Sequence, residues 1–168
     1  MRDIDLRTEQ APLKKEYAEN PEAAQITLTA SGEEQDDARA CNVDIGRAIY
    51  EAELHEGTGG PGAGVCSGDL LLGALAACAQ LTTQAVAENF GIDVDIHVEA
   101  SGDLDLRGTM GVDDEVPVGF ESLRLDVDVT GDLDEDTEAA LRKYAEQYCV
   151  VYQTLKSPPT VETTWSFE

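Results

Sequence analysis

The sequence is poor in basic and aromatic residues and lacks a long uninterrupted apolar run. Its 168 residues include 11 Lys and Arg against 35 Asp and Glu, which gives a formal net charge of −24 at pH 7. Such a surface disfavours nucleic acid and anionic membranes as partners, because both are bound through clustered Lys and Arg. The acids are spread from Asp3 to Glu168. We therefore predict an origin in a salt-loving organism, where high internal salt screens the self-repulsion of an acidic surface.

Signals for export or membrane insertion are also missing. The longest apolar run, Leu70 to Ala79, is interrupted by Gly73 and falls short of the roughly 18–20 residues of a membrane span. The first residues, MRDIDLRTEQ, have no apolar stretch typical of a signal peptide. These observations predict a cytoplasmic protein. Its apolar content of 42% is too high for a disordered acidic tail and sufficient for a folded core.

The order of periodic segments predicts an α+β fold. Residues 1–24 are expected to form an N-terminal arm with a short helix, and residues 25–168 a single domain. Alternating apolar residues predict strands, a stripe at three-and-four spacing predicts helices, and five Gly at 57–64 predict a loop. The expected elements are a helix at 13–20 with Pro12 in its first turn, a strand at 26–29, a polar turn at 32–37, a hairpin of 39–45 and 48–54, a helix capped by Ser67 and ending near Gly91, strands at 92–100 and 123–129, a helix at 133–148 and a last strand at 161–167. Because the strands at 92–100 and 123–129 have one polar face each, the sheet should be largely antiparallel with helices on one side.

Four cysteines carry the chemistry that the sequence suggests. They are Cys41, Cys66, Cys78 and Cys149, and no two of them have the C-x-x-C spacing of zinc knuckles or thioredoxins. In a cytosolic protein we expect thiols. Cys78 and Cys149 both lie on the apolar stripes of predicted helices, where a free Cys is often only a small buried hydrophobe.

An alternative interpretation makes these two cysteines a reactive pair where the two helices meet. One thiolate would attack a substrate and the other thiol would resolve the resulting sulfenic acid to a disulfide. A nearby cation would be needed to lower the thiol pKa. Arg39 and Arg47 are the candidates, because basic residues are so scarce, although either could equally belong to a surface ion pair.

Two other sites receive less support from the residues. The glycine loop GTGGPGAG lacks the GK[ST] ending of a phosphate loop, and its last glycines miss the GxGxxG spacing by one position. His55, Cys66, Cys78 and Cys149 offer ligands for a metal, but their convergence cannot be read from spacing. His97 lies between Asp95 and Glu99 on the polar face of a strand and is expected on the surface.

The segment CSGDLLLGALAACAQLTTQAVAENFGIDVDIHVEASGDLDLRG resembles the central part of the OsmC/Ohr family. That family has a glycine-containing loop, a long helix of small residues bearing a cysteine, and then a strand. The later segment AEQYCVVYQTL is similar to the family's second cysteine motif, and GTGGPGAG is similar to its loop. The resemblance covers roughly residues 45–165.

The resemblance implies an intertwined homodimer with a curved, largely antiparallel sheet around long central helices. It further implies thiol-dependent reduction of organic hydroperoxides, with Cys78 as the peroxidatic thiolate and Cys149 as the resolving thiol. An early arginine, Arg39 or Arg47, would stabilise the thiolate, and an acid near the helix start would orient that arginine. No bound cofactor is implied, and an external dithiol of unspecified type would reset the disulfide.

The sequence departs from the family pattern at both motifs. Ser67, Gly68 and Asp69 stand where the family often has Pro and Glu, so Asp69 is the candidate for the acid. Val150 replaces the usual Pro after the second cysteine, and Cys66 is an additional thiol. A non-enzymatic ligand- or metal-binding protein that uses the same interface pocket is therefore the alternative.

Overall fold

The computed structural model describes residues 6–34, 39–46 and 48–167. The chain divides into two compact units, of which the first is formed by Met1–Ala74 with Glu99–Asp126 and the second by Leu75–Val98 with Val127–Glu168. The helices and strands follow in the order α1 (Leu6–Glu19), β1 (Ser31–Glu34), β2 (Ala40–Asp44), β3 (Ile49–Glu53), β4 (Val65–Cys66), α2 (Ser67–Phe90), β5 (Asp95–Asp103), α3 (Leu106–Thr109), β6 (Ser122–Thr130), α4 (Glu135–Tyr148) and α5 (Val150–Lys156). The mixture of sheets and helices confirms the predicted α+β class.

The N-terminal segment differs from its prediction in two respects. Helix α1 begins at Leu6, so that Pro12 lies inside the helix and not in its first turn, and it has no buried residue. The strand predicted at 26–29 is wrong, because residues 25–30 form no regular structure. Ile26 and Leu28 are 78% and 86% exposed, so the alternation that suggested a half-buried strand is not matched by packing against the described residues.

A four-stranded sheet in the order β1-β2-β3-β4 belongs to the first unit. The predicted hairpin is confirmed, since β2 and β3 pair antiparallel with Asp44 opposite Ile49 and Gly46 adopts φ 85° in the turn. Strand β1, however, occupies part of the stretch that was predicted as a polar turn. Its Ser-Gly-Glu-Glu sequence has little strand propensity, and the antiparallel ladder with β2 determines its conformation. Strand β4 joins β3 in parallel and leads directly into α2.

Helix α2 confirms the predicted central helix and supplies much of the second unit's core. Val86 and Ala87 of α2 and Leu141 of α4 form a buried cluster, against which the partly buried apolar residues Ile92, Val94, Ile96, Val129, Leu133 and Tyr144 pack. Within the described ranges α2 is the one helix that could cross a membrane by length and composition, with a mean hydropathy of 1.5. The core helix of a folded domain can meet the same criterion, and 28% of the apolar stretch of α2 is buried within this chain.

The last predicted strand does not form in the single chain. Residues 158–167 have no helix or strand, and Val161, Trp165 and Phe167 are each more than 75% exposed. Trp165 and Phe167 stack on each other at 6.3 Å between ring centroids. A strand needs an adjacent strand edge to satisfy its backbone groups, and no described strand pairs with these residues.

Candidate active site

Cys78 and Cys149 meet in the second unit. Cys78 lies in the middle of α2 and is half-buried, whereas Cys149 lies between α4 and α5 and is 2% exposed. Both are free thiols, and the Cys149 S–H donates a hydrogen bond to the Cys78 sulfur. The structure therefore brings together the two cysteines that the sequence placed on separate apolar stripes.

The packing of α4 on α2 explains this contact. Leu141 is 3% exposed and lies in the buried cluster with Val86 and Ala87 of α2. Gln80 of α2 also donates from Nε2 to the carbonyl of Ile96 at 3.0 Å, which anchors the helix to β5. Because Cys149 follows Leu141 by eight residues, about two helical turns, it emerges on the same side of α4.

A break in the helix at Cys149 gives the site its backbone donors. Cys149 has extended backbone angles (φ −73°, ψ 104°), so α4 ends at Tyr148 and α5 begins at Val150. The first N–H groups of a helix have no partner within that helix. In α5, the N–H groups of Val150 and Val151 donate to the Cys78 sulfur.

The two thiols have opposite pKa shifts. Burial acts to raise the pKa of Cys78, but the donors around its sulfur outweigh burial and hold that pKa below its usual range. In order of effect these donors are the Val151 N–H, the Cys149 thiol, the Thr82 hydroxyl and the Val150 N–H. Burial raises the pKa of Cys149, and the neighbouring Cys78 raises it further, although the Tyr152 N–H acts in the opposite direction. Of the two, Cys78 is thus the thiol that ionises more readily, and Cys149 is the thiol that donates to it.

Three of these donors were not anticipated from the sequence. Thr82 could have been found, because it lies four residues after Cys78 and side chains at that spacing share a helix face. The N–H groups of Val150 and Val151 could not, since the sequence has neither Gly nor Pro at the helix break that exposes them.

Asp69 lies in the first unit and caps α2. Its Oδ2 accepts the Cys66 N–H at 2.8 Å. A carboxylate on the third residue of a helix commonly accepts a hydrogen bond in this way from the backbone N–H just before the helix. Ser67 is thus the first residue of α2, and Asp69 makes the cap that was assigned to Ser67. The Cys66 N–H and then the Cys66 thiol lower the pKa of Asp69, against a small opposing effect of burial, and His55 adds to the lowering.

The two candidate arginines have different positions. Arg39 belongs to the first unit and directly precedes β2, where its carbonyl accepts the Leu54 N–H at 2.9 Å. Arg47 lies outside the described residues. Asp69 and Arg39 therefore belong to the first unit, whereas both cysteines of the thiol pair belong to the second.

The glycine loop is held by acidic and imidazole side chains. Glu53 Oε2 accepts the N–H groups of Ala63 at 3.2 Å and Gly64 at 2.9 Å, and His55 Nδ1 accepts the Gly57 N–H at 3.1 Å. A phosphate-binding loop offers such amides to its ligand, but here a carboxylate occupies two of them. The loop thus does not support a nucleotide site.

Cys41 and His97 lie on strands, whereas the two cysteines of the thiol pair lie on α2 and between α4 and α5. Cys41 is in β2, opposite Ala52 of β3, and His97 is exposed on β5 as predicted. In the described ranges, no three His, Cys, Asp or Glu side chains are grouped so as to hold a metal ion. The alternative ligand set of His55, Cys66, Cys78 and Cys149 therefore does not form such a group.

The chain is thus an α+β protein with a dithiol site. One thiol, with a lowered pKa, lies in the middle of a helix, and the other lies at a helix break. The family model described as OsmC-like protein matches residues 59–164 of this chain, which include α2, the thiol pair and both strands β5 and β6. The chain belongs to the OsmC-like family. No curated protein matches significantly.

Solved structures show the same fold at low sequence identity. An OsmC-like protein from Mycoplasma pneumoniae has a TM-score of 0.64 and 15% identity, over 80% of this chain and 90% of that one. An organic hydroperoxide resistance protein OsmC from Legionella pneumophila has a TM-score of 0.59 and 20% identity, over 79% and 90%. An organic hydroperoxide resistance protein from Elizabethkingia anophelis has a TM-score of 0.61 and 18% identity, over 80% and 91%.

Proposed function

We propose that this protein is a thiol-dependent peroxidase that reduces organic hydroperoxides to alcohols through Cys78 and Cys149. The observation that carries the proposal is the contact between two free thiols whose pKa values are shifted in opposite directions. A thiolate is the reactive form of cysteine, and a neighbouring thiol can trap its oxidised product. Membership of the OsmC-like family, in which similar structures carry the name organic hydroperoxide resistance protein, supports the choice of substrate.

The reaction follows from the protonation states of the pair. The Cys78 thiolate attacks the terminal oxygen of the hydroperoxide, the O–O bond breaks, and the alkoxide leaves and takes up a proton as alcohol. Cys78 is now a sulfenic acid. The Cys149 sulfur attacks it, a disulfide forms and water leaves. An external dithiol then reduces the disulfide by exchange and is itself oxidised, as expected in the cytoplasm, where dithiol reductants are present.

Exposed apolar side chains next to the thiols favour an organic substrate. Tyr148 and Val150 flank Cys149 in the sequence and are 57% and 70% exposed, and Leu81, three residues after Cys78, is 66% exposed. Apolar surface of this kind binds the hydrocarbon part of an organic hydroperoxide, whereas hydrogen peroxide has no hydrocarbon part and gains no binding free energy from it. Arg39 and Arg47 remain the candidates for additional charge stabilisation of the thiolate.

Disulfide mapping of the wild-type protein tests the proposal. After one equivalent of cumene hydroperoxide in high salt, we expect one equivalent of cumyl alcohol and a Cys78–Cys149 disulfide, identified by mass spectrometry under non-reducing conditions. High salt is used because a net charge of −24 requires screening. We expect the same experiment with hydrogen peroxide to be slower by about tenfold or more, since a few apolar contacts are worth about 1–3 kcal/mol. A protein that leaves cumene hydroperoxide unconsumed is not this peroxidase, and ligand binding by the family fold would take its place.

We also propose that the protein is a homodimer. The isolated 18.0 kDa chain exposes 13216 Å², whereas a folded monomer of that mass exposes about 8,000 Å². The excess includes the exposed face of α2 at Ala77 and Leu81 and the exposed C-terminal residues Trp165 and Phe167. Surface in such excess is what two chains bury when they intertwine.

Light scattering coupled to size-exclusion chromatography measures the assembly directly. We expect a mass twice the 18.0 kDa of the chain in high salt, unchanged on tenfold dilution at micromolar concentration, since an obligate dimer with a large apolar interface does not dissociate there. A single-chain mass at the same concentration would contradict the homodimer without bearing on the thiol chemistry.

A further inference from the structure

We infer that Gln153 is a positioning residue of the thiol pair, whose side chain holds the helix break at Cys149 and so fixes where that thiol lies. The inference rests on the proposed function, because it concerns the disulfide between Cys78 and Cys149. Gln153 is a half-buried residue of α5, four residues after Cys149. Its side-chain Nε2 donates to the carbonyl oxygen of Glu146 in α4 at 2.8 Å, so this hydrogen bond joins the two helices across the break.

The carbonyl of Glu146 shows what this side chain replaces. In an unbroken α-helix each carbonyl accepts the N–H of the residue four positions later, which here would be Val150. The extended backbone of Cys149 (φ −73°, ψ 104°) ends α4, and Val150 begins a new helix. The last carbonyls of a helix need donors from outside it, and the Gln153 amide is such a donor. It thus occupies the acceptor to which the Val150 N–H would return if the helix continued.

The backbone of Gln153 contacts the break from its other side. The Gln153 N–H donates to the Cys149 carbonyl at 2.9 Å, and the Cys149 N–H donates to the Ala145 carbonyl at 3.1 Å. Both bonds have helical spacing, so the departure from helical geometry is confined to the backbone angles of Cys149. Through its side chain and its backbone, Gln153 therefore contacts residues on both sides of these angles.

Other side chains that donate to helix carbonyls have a shorter span. Within α2, Thr83 donates to the carbonyl of Ala79 and Asn89 to that of Ala85, each over four residues. Such bonds stay inside one helix and add to its continuity. The bond from Gln153 spans seven residues and connects two helices, so it stabilises a break.

The position of Cys149 depends on this bond most when the pair is reduced. In the disulfide, the S–S bond itself holds Cys149 beside Cys78, whereas in the dithiol only non-covalent contacts do so. Without the Gln153 amide, the reduced chain can join Val150 to Glu146 and continue the helix, but the oxidised chain cannot. Loss of the amide should therefore favour the dithiol over the disulfide. A general loss of stability affects both forms alike and leaves their equilibrium unchanged.

The test measures this equilibrium and needs no peroxide. In a Cys41→Ser/Cys66→Ser background in high salt, the Cys78–Cys149 disulfide forms as oxidised dithiothreitol takes up two electrons and two protons and becomes the dithiol. The disulfide fraction at each ratio of oxidised to reduced dithiothreitol is measured by alkylation of the remaining thiols and intact mass.

Three substitutions of Gln153 and one matched control are compared in that background. Gln153→Met and Gln153→Glu remove the N–H donor at similar side-chain length, and Gln153→Lys keeps a donor. Gln147→Met is the matched control, because Gln147 is an exposed residue that lines the same groove as Gln153. Circular dichroism establishes that each variant is folded, and the two donor-free variants provide for the failure of one of them to fold.

We expect Gln153→Met and Gln153→Glu to lower the equilibrium constant for disulfide formation by about tenfold, as for the loss of one hydrogen bond. For a two-electron couple this is a rise in reduction potential of about 30 mV. Gln153→Lys and Gln147→Met should retain the background value. An unchanged constant in both donor-free variants overturns the inference, as does an equal decrease in Gln147→Met or Gln153→Lys, or a background protein that forms no Cys78–Cys149 disulfide.

Failure of this inference and failure of the proposed function are distinguishable. A protein that shows the expected shifts but consumes no hydroperoxide overturns the peroxidase and leaves Gln153 as the residue that positions a redox-active dithiol. A protein that consumes hydroperoxide and shows no shift retains the peroxidase and overturns the role of Gln153.

Discussion

Replacement of Cys78 by Ser is expected to lower kcat/KM for cumene hydroperoxide by about a thousandfold or more, to the level of free dithiol in the assay. Cys78 is the half-buried residue whose sulfur accepts hydrogen bonds from the Val151 N–H and the Cys149 thiol. A serine hydroxyl in the same position stays protonated at neutral pH and is a far weaker nucleophile towards peroxide oxygen than a thiolate. The measurement is hydroperoxide consumption with dithiothreitol in high salt.

The pH dependence of the wild-type reaction has a defined sign. Because the pKa of Cys78 is lowered, the thiolate is fully formed above that lowered pKa and is lost as the pH falls through it. The rate of peroxide reduction should reach its plateau at a pH below the ordinary thiol pKa of about 8.5 and decrease about tenfold per pH unit on the acid side of the lowered pKa. A rate that instead rises up to the ordinary thiol pKa of about 8.5 would show that Cys78 is not activated.

Cys66→Ser is the matched control for Cys78→Ser. Cys66 is a free, half-buried thiol as well, but it lies at the start of α2 in the first unit, where its N–H is bonded to Asp69. We expect it to retain peroxidase activity in full. If Cys66→Ser loses as much activity as Cys78→Ser, or if Cys78→Ser retains activity, the assignment of Cys78 as the peroxidatic residue is wrong.

The periodicity of apolar residues correctly predicted the elements that pack against other parts of the same chain. Of the stripe predicted on α2, Leu75 and Val86 are buried, whereas Leu71 and Leu81 are exposed. The hairpin of β2 and β3 has the expected turn at Gly46. These elements lie against other parts of the same chain, so the pattern and the packing agree. The same reasoning placed Cys78 and Cys149 on core-facing stripes, and the two sulfurs do meet.

Periodicity failed for two segments that do not pack against the part of the chain that the structure describes. Ile26 and Leu28, and likewise Trp165 and Phe167, alternate with polar residues as strand residues do, yet all are exposed and form no strand. Alternation indicates that one face is to be buried, but it does not say against which chain. The proposed homodimer would supply that surface.

The electrostatics of the site were the least predictable part. The need for a cation and the scarcity of basic residues directed attention to Arg39 and Arg47, whereas the donors at the Cys78 sulfur are Thr82, a second thiol and two backbone amides. The amides depend on the helix break at Cys149, a residue with no intrinsic tendency to end a helix. Local propensity therefore gives no signal for the end of α4.

Replacement of Cys149 by Ser is expected to stop catalysis after one oxidation of Cys78. The serine hydroxyl can still donate to the Cys78 sulfur, so the first step with peroxide should proceed, but no second sulfur is present to form the disulfide. Without added thiol, we expect one equivalent of alcohol per chain and no intramolecular disulfide. Dimedone should trap the sulfenic acid on Cys78, and excess peroxide should convert it to the sulfinic acid, which is a loss of essentially all turnover.

This outcome requires that Cys149 is the thiol that forms the disulfide with Cys78. Cys41→Ser is the control, because it removes a different thiol. Cys41 lies in β2 of the first unit, so its removal should leave the Cys78–Cys149 disulfide and full turnover unchanged. A Cys149→Ser protein that still forms a disulfide at Cys78 would identify Cys41 or Cys66 as the resolving residue. In that case the raised pKa of Cys149 would mark it as a hydrogen-bond donor to Cys78 and not as a reactant.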